Sequence, residues 1–136
     1  MKQVILVNGW LEMPPGKLAT QVSHASMVFL VRYIQSGAKV GDVVEIDTDD
    51  RMWNIHENWL EKSFTKLVLV ARTKDEYDRV IKKLNKFNYI NGIDYFEIID
   101  KGLTVFDGVP THTCTGFYPM EQDEINKFFG SLPLLE

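Results

Sequence analysis

The sequence predicts an α/β fold in one domain, with helices packed over a mixed sheet. Three observations carry this. Apolar runs of strand length alternate with longer stretches whose apolar residues recur every three or four positions. The chain has 136 residues, the size of one domain, and no linker or compositional break divides it. Its apolar content of 45%, with eight Phe, five Tyr and three Trp, suffices for an ordinary core and argues against global disorder.

Val4 to Val7 reads as a buried strand that Asn8-Gly9 breaks. Trp10 to Gly16 is a stiff loop, because Pro14 and Pro15 fix φ and keep the preceding residues out of the α region. From Lys17 to about Gln35 the residues Leu18, Val22, Ala25 and Phe29 repeat at helical spacing, and Ser36-Gly37 closes the helix. Its part from Met27 to Val31 is apolar nearly all round, so a second layer or a subunit interface must cover it.

Ala38 to Ser63 is an insert of less definite pattern. Val43 to Ile46 fits a short strand, Asp47 to Asp50 a turn, and Trp53 to Lys62 a helix. Thr65 to Ala71 is read as a central strand. Thr73, with Glu76 three residues on, forms a capping box for a helix whose apolar face is Tyr77, Val80, Ile81 and Leu84. After a turn at Asn91-Gly92 come strands over Tyr95 to Ile99 and Thr113 to Phe117, with Pro110 outside the second. Glu121 to Phe129 is the last helix, and Leu132 to Leu135 is an apolar tail that needs a docking place.

Composition excludes several classes. The single cysteine, Cys114, rules out an internal disulfide framework and a thiolate-rich metal site, and fits a reducing compartment. The N-terminal apolar run is too short for a signal peptide, and no stretch has the length of a membrane span. The net charge of -4 means that any contact with nucleic acid needs a local basic patch.

Three clusters carry the candidate chemistry. Lys17, Gln21 and His24 are four and three residues apart, so they project from one helix face. Lys17 also sits in the first turn, after Gly16, where backbone N–H groups are unpaired; a cation beside free donors suits a phosphate or a developing oxyanion. A lysine early in a helix is equally an ordinary solvated residue, and spacing alone leaves both readings open. Asp100-Lys101-Gly102-Leu103-Thr104 follows a strand, where loops collect functional groups, but Asp with Gly two residues on is also a common turn. In Thr111 to Thr115, strict strand alternation puts Thr111, Thr113 and Thr115 on one face and His112 and Cys114 on the other. Cys114 lacks the base and orienter of an activated nucleophile. His24, His56 and His112 lack the local spacing of a zinc site, and the glycines form neither phosphate loop nor dinucleotide fingerprint, so no metal or cofactor is expected.

In combination these segments resemble the archaeal and eukaryotic type of peptidyl-tRNA hydrolase, the Pth2 family. The likeness is densest in Gly16-Lys17-Leu18-Ala19-Thr20-Gln21-Val22-Ser23-His24-Ala25, close to that family's G-K-x-A-x-Q-x-S-H-A. It continues through Trp59 and the Lys66 to Val70 strand, Asp100 to Thr104 at the family's D-A-G-R-T, and Thr113 to Pro119 followed by a helix and the Gly130 to Leu134 tail. Leu103 stands where the family has arginine, Lys101 where it has alanine and Tyr118 where it has glycine.

The resemblance implies a four-stranded mixed sheet with helices on both faces, a homodimer, and cleavage of the ester between a peptide and the tRNA 3′ end in the cytoplasm. It places catalysis on Lys17, Asp100, Thr104 and Thr113, with Gly16, Gln21, His24, Lys101 and Gly102 as substrate contacts. The expected partner is peptidyl-tRNA or a related acylated RNA, with no membrane involved. The alternative on the same fold is a non-catalytic module that binds RNA or protein.

Overall fold

The computed structural model describes residues 1–136. Strand β1 (Gln3–Asn8) is buried along its whole length, and helix α1 (Pro15–Gln35) follows after a short loop. Pro15 occupies the first helical position, where its missing N–H costs nothing. The insert is a hairpin, β2 (Ala38–Val40) and β3 (Val43–Glu45), then helix α2 (Asp50–Ile55) running into a π-helical stretch, His56–Ser63. Strand β4 (Lys66–Ala71), helix α3 (Lys74–Lys86), strands β5 (Tyr95–Asp100) and β6 (Thr111–Phe117) and helix α4 (Gln122–Phe129) complete the chain.

The main sheet has the order β4-β1-β6-β5, with β1 and β4 parallel and the other pairs antiparallel. Side-chain alternation divides β1 between two cores. Val4 and Leu6 pack with Tyr77, Leu84, Ile125 and Phe129 of α3 and α4, whereas Ile5 and Val7 pack with Ala25 of α1 on the opposite face. Helices therefore cover both faces, as the resemblance implies. Helix α1 sits so close to β6 that a Cβ on Gly116 would fall 2.1 Å from the Ala25 carbonyl oxygen. Glycine is the residue that lets the helix backbone approach this strand.

The expected central position of Thr65 to Ala71 is corrected: β4 is an edge strand. Its apolar character answers to the C-terminal tail. Val70 N–H donates to the Pro133 carbonyl at 3.0 Å, and Leu135 N–H donates to the Val68 carbonyl at 2.8 Å. The tail thereby caps an edge that would otherwise expose unpaired backbone groups.

The insert covers part of α1. Met52, Ile55 and Trp59 bury against Phe29, and Tyr118 joins them 5.0 Å from the Phe29 ring with the Arg51 guanidinium 3.8 Å over its own ring. The tyrosine at a position where the family has glycine is thus packed by the insert. Asp50, expected in a turn, instead opens α2, which Asp49 caps by accepting from Met52 N–H at 2.8 Å. The capping box at Thr73 is half formed. Thr73 accepts from Glu76 N–H, while the Glu76 carboxylate turns to the Arg72 backbone N–H and guanidinium.

Candidate active site

The carboxyl ends of β1 and β5 and the start of β6 meet at one edge of the sheet, where the first turn of α1 also lies. Lys17 is the third residue of α1 and Asp100 the last of β5. Their side chains meet across an ion pair of 2.8 Å, each about one-eighth to one-seventh exposed (14% and 13%). The second Asp100 oxygen, Oδ2, accepts from Gly102 N–H at 3.0 Å, so the aspartate also builds its own turn. Gly102 has φ +76°, and a Cβ there would lie 2.5 Å from the Val109 carbonyl oxygen. The two interpretations of the Asp100 loop, turn former and charged site, hold together.

Gln21, one turn after Lys17, is buried and bridges sheet and helix. Its Nε2 donates to Asp100 Oδ1 at 3.2 Å, and its Oε1 accepts from the Thr113 hydroxyl at 2.6 Å. The opposite amide orientation would set an oxygen against the carboxylate. Thr104 Oγ1 lies 3.4 Å from the Lys17 ammonium, which donates to it. Lys17, Asp100, Thr104 and, through Gln21, Thr113 form one connected set.

The faces assigned to Thr111 to Thr115 need correction. Ile98 pairs with Cys114 and Ile99 with His112, which leaves Thr113 as the extra residue of a β-bulge. The bulge breaks the two-residue alternation. Thr113 turns toward Gln21 on the α1 side, while Thr115 shares the α3 side with His112 at 2.9 Å. Nothing in the one-dimensional pattern marks a bulge.

His24, Lys101 and Leu103 line the same cleft, an open hollow of about 360 Å³. His24 makes no hydrogen bond to Asp100; Gln21 holds the carboxylate instead. Gly16, with open space where a Cβ would point, leaves the approach to the first turn of α1 clear. Leu103 is 83% exposed, the most solvent-facing of the large apolar residues.

Electrostatics follow from these contacts. The Lys17 hydrogen bond holds the Asp100 carboxyl below the usual carboxylate range, with Gly102 N–H and Gln21 adding to it against the opposing effect of desolvation. Asp100 is therefore ionised at neutral pH. Burial pushes the Cys114 thiol up to about 12, which removes it as a nucleophile.

A second polar chain, not anticipated from the sequence, lies on the α3 side. Asn8 Nδ2 donates to His112 Nδ1 at 3.2 Å and to the His112 carbonyl at 3.0 Å. His112 Nε2–H then donates to Thr115, whose hydroxyl stands 3.4 Å from the Tyr77 hydroxyl, and Tyr77 donates to Glu97 at 2.7 Å. Burial lowers the His112 pKa, with the Glu97 charge opposing. Glu97, a charge inside the apolar run Tyr95 to Ile99, is the sequence signal for this network.

Comparison with known proteins agrees with the motifs. The model of the family described as peptidyl-tRNA hydrolase PTH2 matches residues 1–135. A peptidyl-tRNA hydrolase of Methanopyrus kandleri is 36% identical over 134 residues, covering 98% of this chain and 97% of that protein. One of Sulfolobus acidocaldarius is 30% identical over 135 residues, covering 99% of this chain and all of that protein (100%), and one of Saccharolobus islandicus is 29% identical over 136 residues. With its mixed sheet, its lysine–aspartate cleft and a match from end to end, this chain belongs to the peptidyl-tRNA hydrolase PTH2 family.

Proposed function

We propose that this chain is a hydrolase that cleaves the ester joining a peptide to the 3′ end of tRNA, with Lys17 and Asp100 at the reacting centre. The observation that carries the reading is the 2.8 Å Lys17–Asp100 pair at the wall of an open cleft, with Thr104 beside it. The names of the relatives agree with it.

An ammonium has three donors. One Lys17 proton goes to Asp100 and a second points to Thr104, which leaves the third for an oxyanion or a phosphate oxygen. As the ester carbonyl is attacked by water, negative charge builds on its oxygen, and a cation already in place stabilises that charge with little reorganisation. Asp100, held ionised, is a poor proton acceptor at neutral pH and acts by fixing Lys17 and orienting water. Thr104 is exposed at the cleft and contacts substrate or water. Thr113 is fully buried and acts through Gln21 as a positioning residue.

The reading includes a cytoplasmic place of action, where translation supplies the substrate, and a homodimer. For the dimer the support is the apolar surface left exposed by Met27, Val31 and Ile34 of α1 and by Val40, Val43 and Val44 of the hairpin. Sedimentation equilibrium at micromolar concentration is expected to give the dimer mass; a lone monomer would remove that part. The activity itself is tested by release of labelled peptide from peptidyl-tRNA. Wild type should release it, and Lys17→Ala should lose about a hundredfold or more in kcat with a smaller change in KM. Equal turnover by both would take the lysine out of the mechanism.

A further inference from the structure

A substrate attached to tRNA brings a phosphate backbone, and a chain with net charge -4 must meet it locally. We propose that the groove between α3 and the C-terminal segment is that seat, a binding site for RNA phosphates outside the catalytic cleft. The inference rests on the hydrolase reading for its ligand and on the charge distribution for its place.

From Arg79 to Ile93 the chain has four basic residues and no acidic one. Arg79, Lys82, Lys83 and Lys86 follow the i, i+3, i+4, i+7 spacing, so they share one face of α3. All four are exposed, and all four line one open groove of about 520 Å³, whose other wall includes Ser131 and Leu132. None has a carboxylate within ion-pair distance. The only acid on the groove, Glu76, is neutralised by Arg72 at 2.9 Å.

Helix-dipole bias explains part of this but not all. Basic residues are favoured in the last turn, which accounts for Lys83 and Lys86. Arg79 and Lys82 lie outside that turn and still align with the groove. In a protein with 19 acidic and 15 basic side chains, four unpaired cations on one face are a segregated surface.

The placement suits a substrate held in the cleft. β4 and β5 run in the same direction, so Arg72, just after β4, and Asp100, the end of β5, stand at the same edge of the sheet. Three strand spacings separate β4 from β5, about 14 Å. From that edge the 13 residues of α3 run back for about 20 Å. An RNA whose 3′ ester enters the cleft passes across the edge and meets the groove beyond β4. An acidic protein would also find cations there, but only the RNA is brought to this edge by the chemistry of the cleft.

The experiment compares two variants with equal loss of charge, Lys82→Gln/Lys86→Gln in the groove and Lys39→Gln/Lys62→Gln elsewhere. Binding of deacylated tRNA is followed by fluorescence anisotropy across a range of KCl. The groove variant should lose about tenfold in affinity at 0.1 M salt and flatten the log–log salt slope by about 1.5, while the control changes less than twofold. On peptidyl-tRNA the groove variant should raise KM about tenfold with kcat unchanged, and on a peptidyl-CCA trinucleotide it should behave as wild type. Unchanged tRNA affinity, or equal losses in both variants, would overturn the groove. A groove variant that binds tRNA normally but loses binding to poly-glutamate would assign the surface to an acidic protein instead. Wild type that binds tRNA through the groove yet releases no peptide would uphold the site and sink the hydrolase reading, so the two failures are distinct.

Discussion

The Thr113 hydroxyl donates to the Gln21 amide oxygen across 2.6 Å, and this one bond ties the bulged strand to the helix that carries Lys17. Both groups are buried, so the bond has no water to replace it. Gln21 passes the constraint on to Asp100 through its amide nitrogen. The bulge, the glutamine and the carboxylate together hold the Lys17–Asp100 ion pair in place.

Thr113→Val should therefore leave the Gln21 oxygen unsatisfied, at a cost of about 1–3 kcal/mol in stability. Turnover should fall by about ten- to a hundredfold as Asp100 loses a fixed neighbour. Thr113→Ser keeps the hydroxyl and should stay within a few-fold of wild type. Chemical denaturation alongside peptide release reads both effects; a valine variant with full activity would remove Thr113 from that arrangement.

Most of the scaffold was legible because periodicity reports burial. β1, α1, α3 and β5 follow from apolar spacing, and the segment Gly16 to Ala25 puts Lys17, Gln21 and His24 on one helix face, all three of which line the same hollow. Three features were not legible, each for a physical reason. The bulge at Thr113 is a property of pairing between two strands, which neither strand shows alone. The edge position of β4 was hidden because the tail Pro133 to Leu135 covers it and lets it remain apolar. The bonds of Gln21 to Thr113 and Asp100 join it to partners 92 and 79 residues away, which spacing along one helix does not reveal.

The charge state of Asp100 gives the proposed role of the Lys17–Asp100 pair a pH test. Because Lys17 holds its carboxyl below the ordinary range near 4, the carboxylate persists throughout pH 5 to 8. Peptide release should thus show no acid limb between pH 5 and 7, unlike an enzyme whose general base titrates near neutrality. Stability follows the same sign. The contribution of the pair is complete above the unfolded value near 4 and is lost as pH falls through the lower folded value. A kinetic pKa between 6 and 7 that disappears in Asp100→Asn would assign the aspartate a base role instead.

His112 gives a separate test on the other face of the sheet. Asn8 donates to Nδ1, so the proton belongs on Nε2, where Thr115 accepts it. Burial lowers the pKa, so the imidazole should take up its proton at a lower pH than an exposed histidine does. Folding stability carried by this group is complete above the unfolded value near 6.5 and declines as pH falls below it, since the unfolded chain takes up the proton first. Long-range nitrogen–proton NMR should report the Nε2–H tautomer; an Nδ1–H signal would break the proposed chain from Asn8 to Glu97.

The last prediction concerns the position where the family's arginine is replaced. Leu103 projects into solvent at the cleft, with Lys101 lining the same wall. Lysine is a flexible point charge, whereas arginine offers a planar fork matched to phosphate. If Lys101 supplies the cationic contact near the ester, Lys101→Ala should weaken tRNA binding severalfold and reduce its salt slope by about 1. Leu103→Arg should tighten binding, because a side chain this exposed reaches the cleft without displacing any packed neighbour. Its effect should appear in KM more than in kcat, since a phosphate contact is present equally in ground and transition states. Binding that does not tighten in Leu103→Arg would mean that the terminal phosphates pass along another wall of the cleft, beside Lys17 and His24.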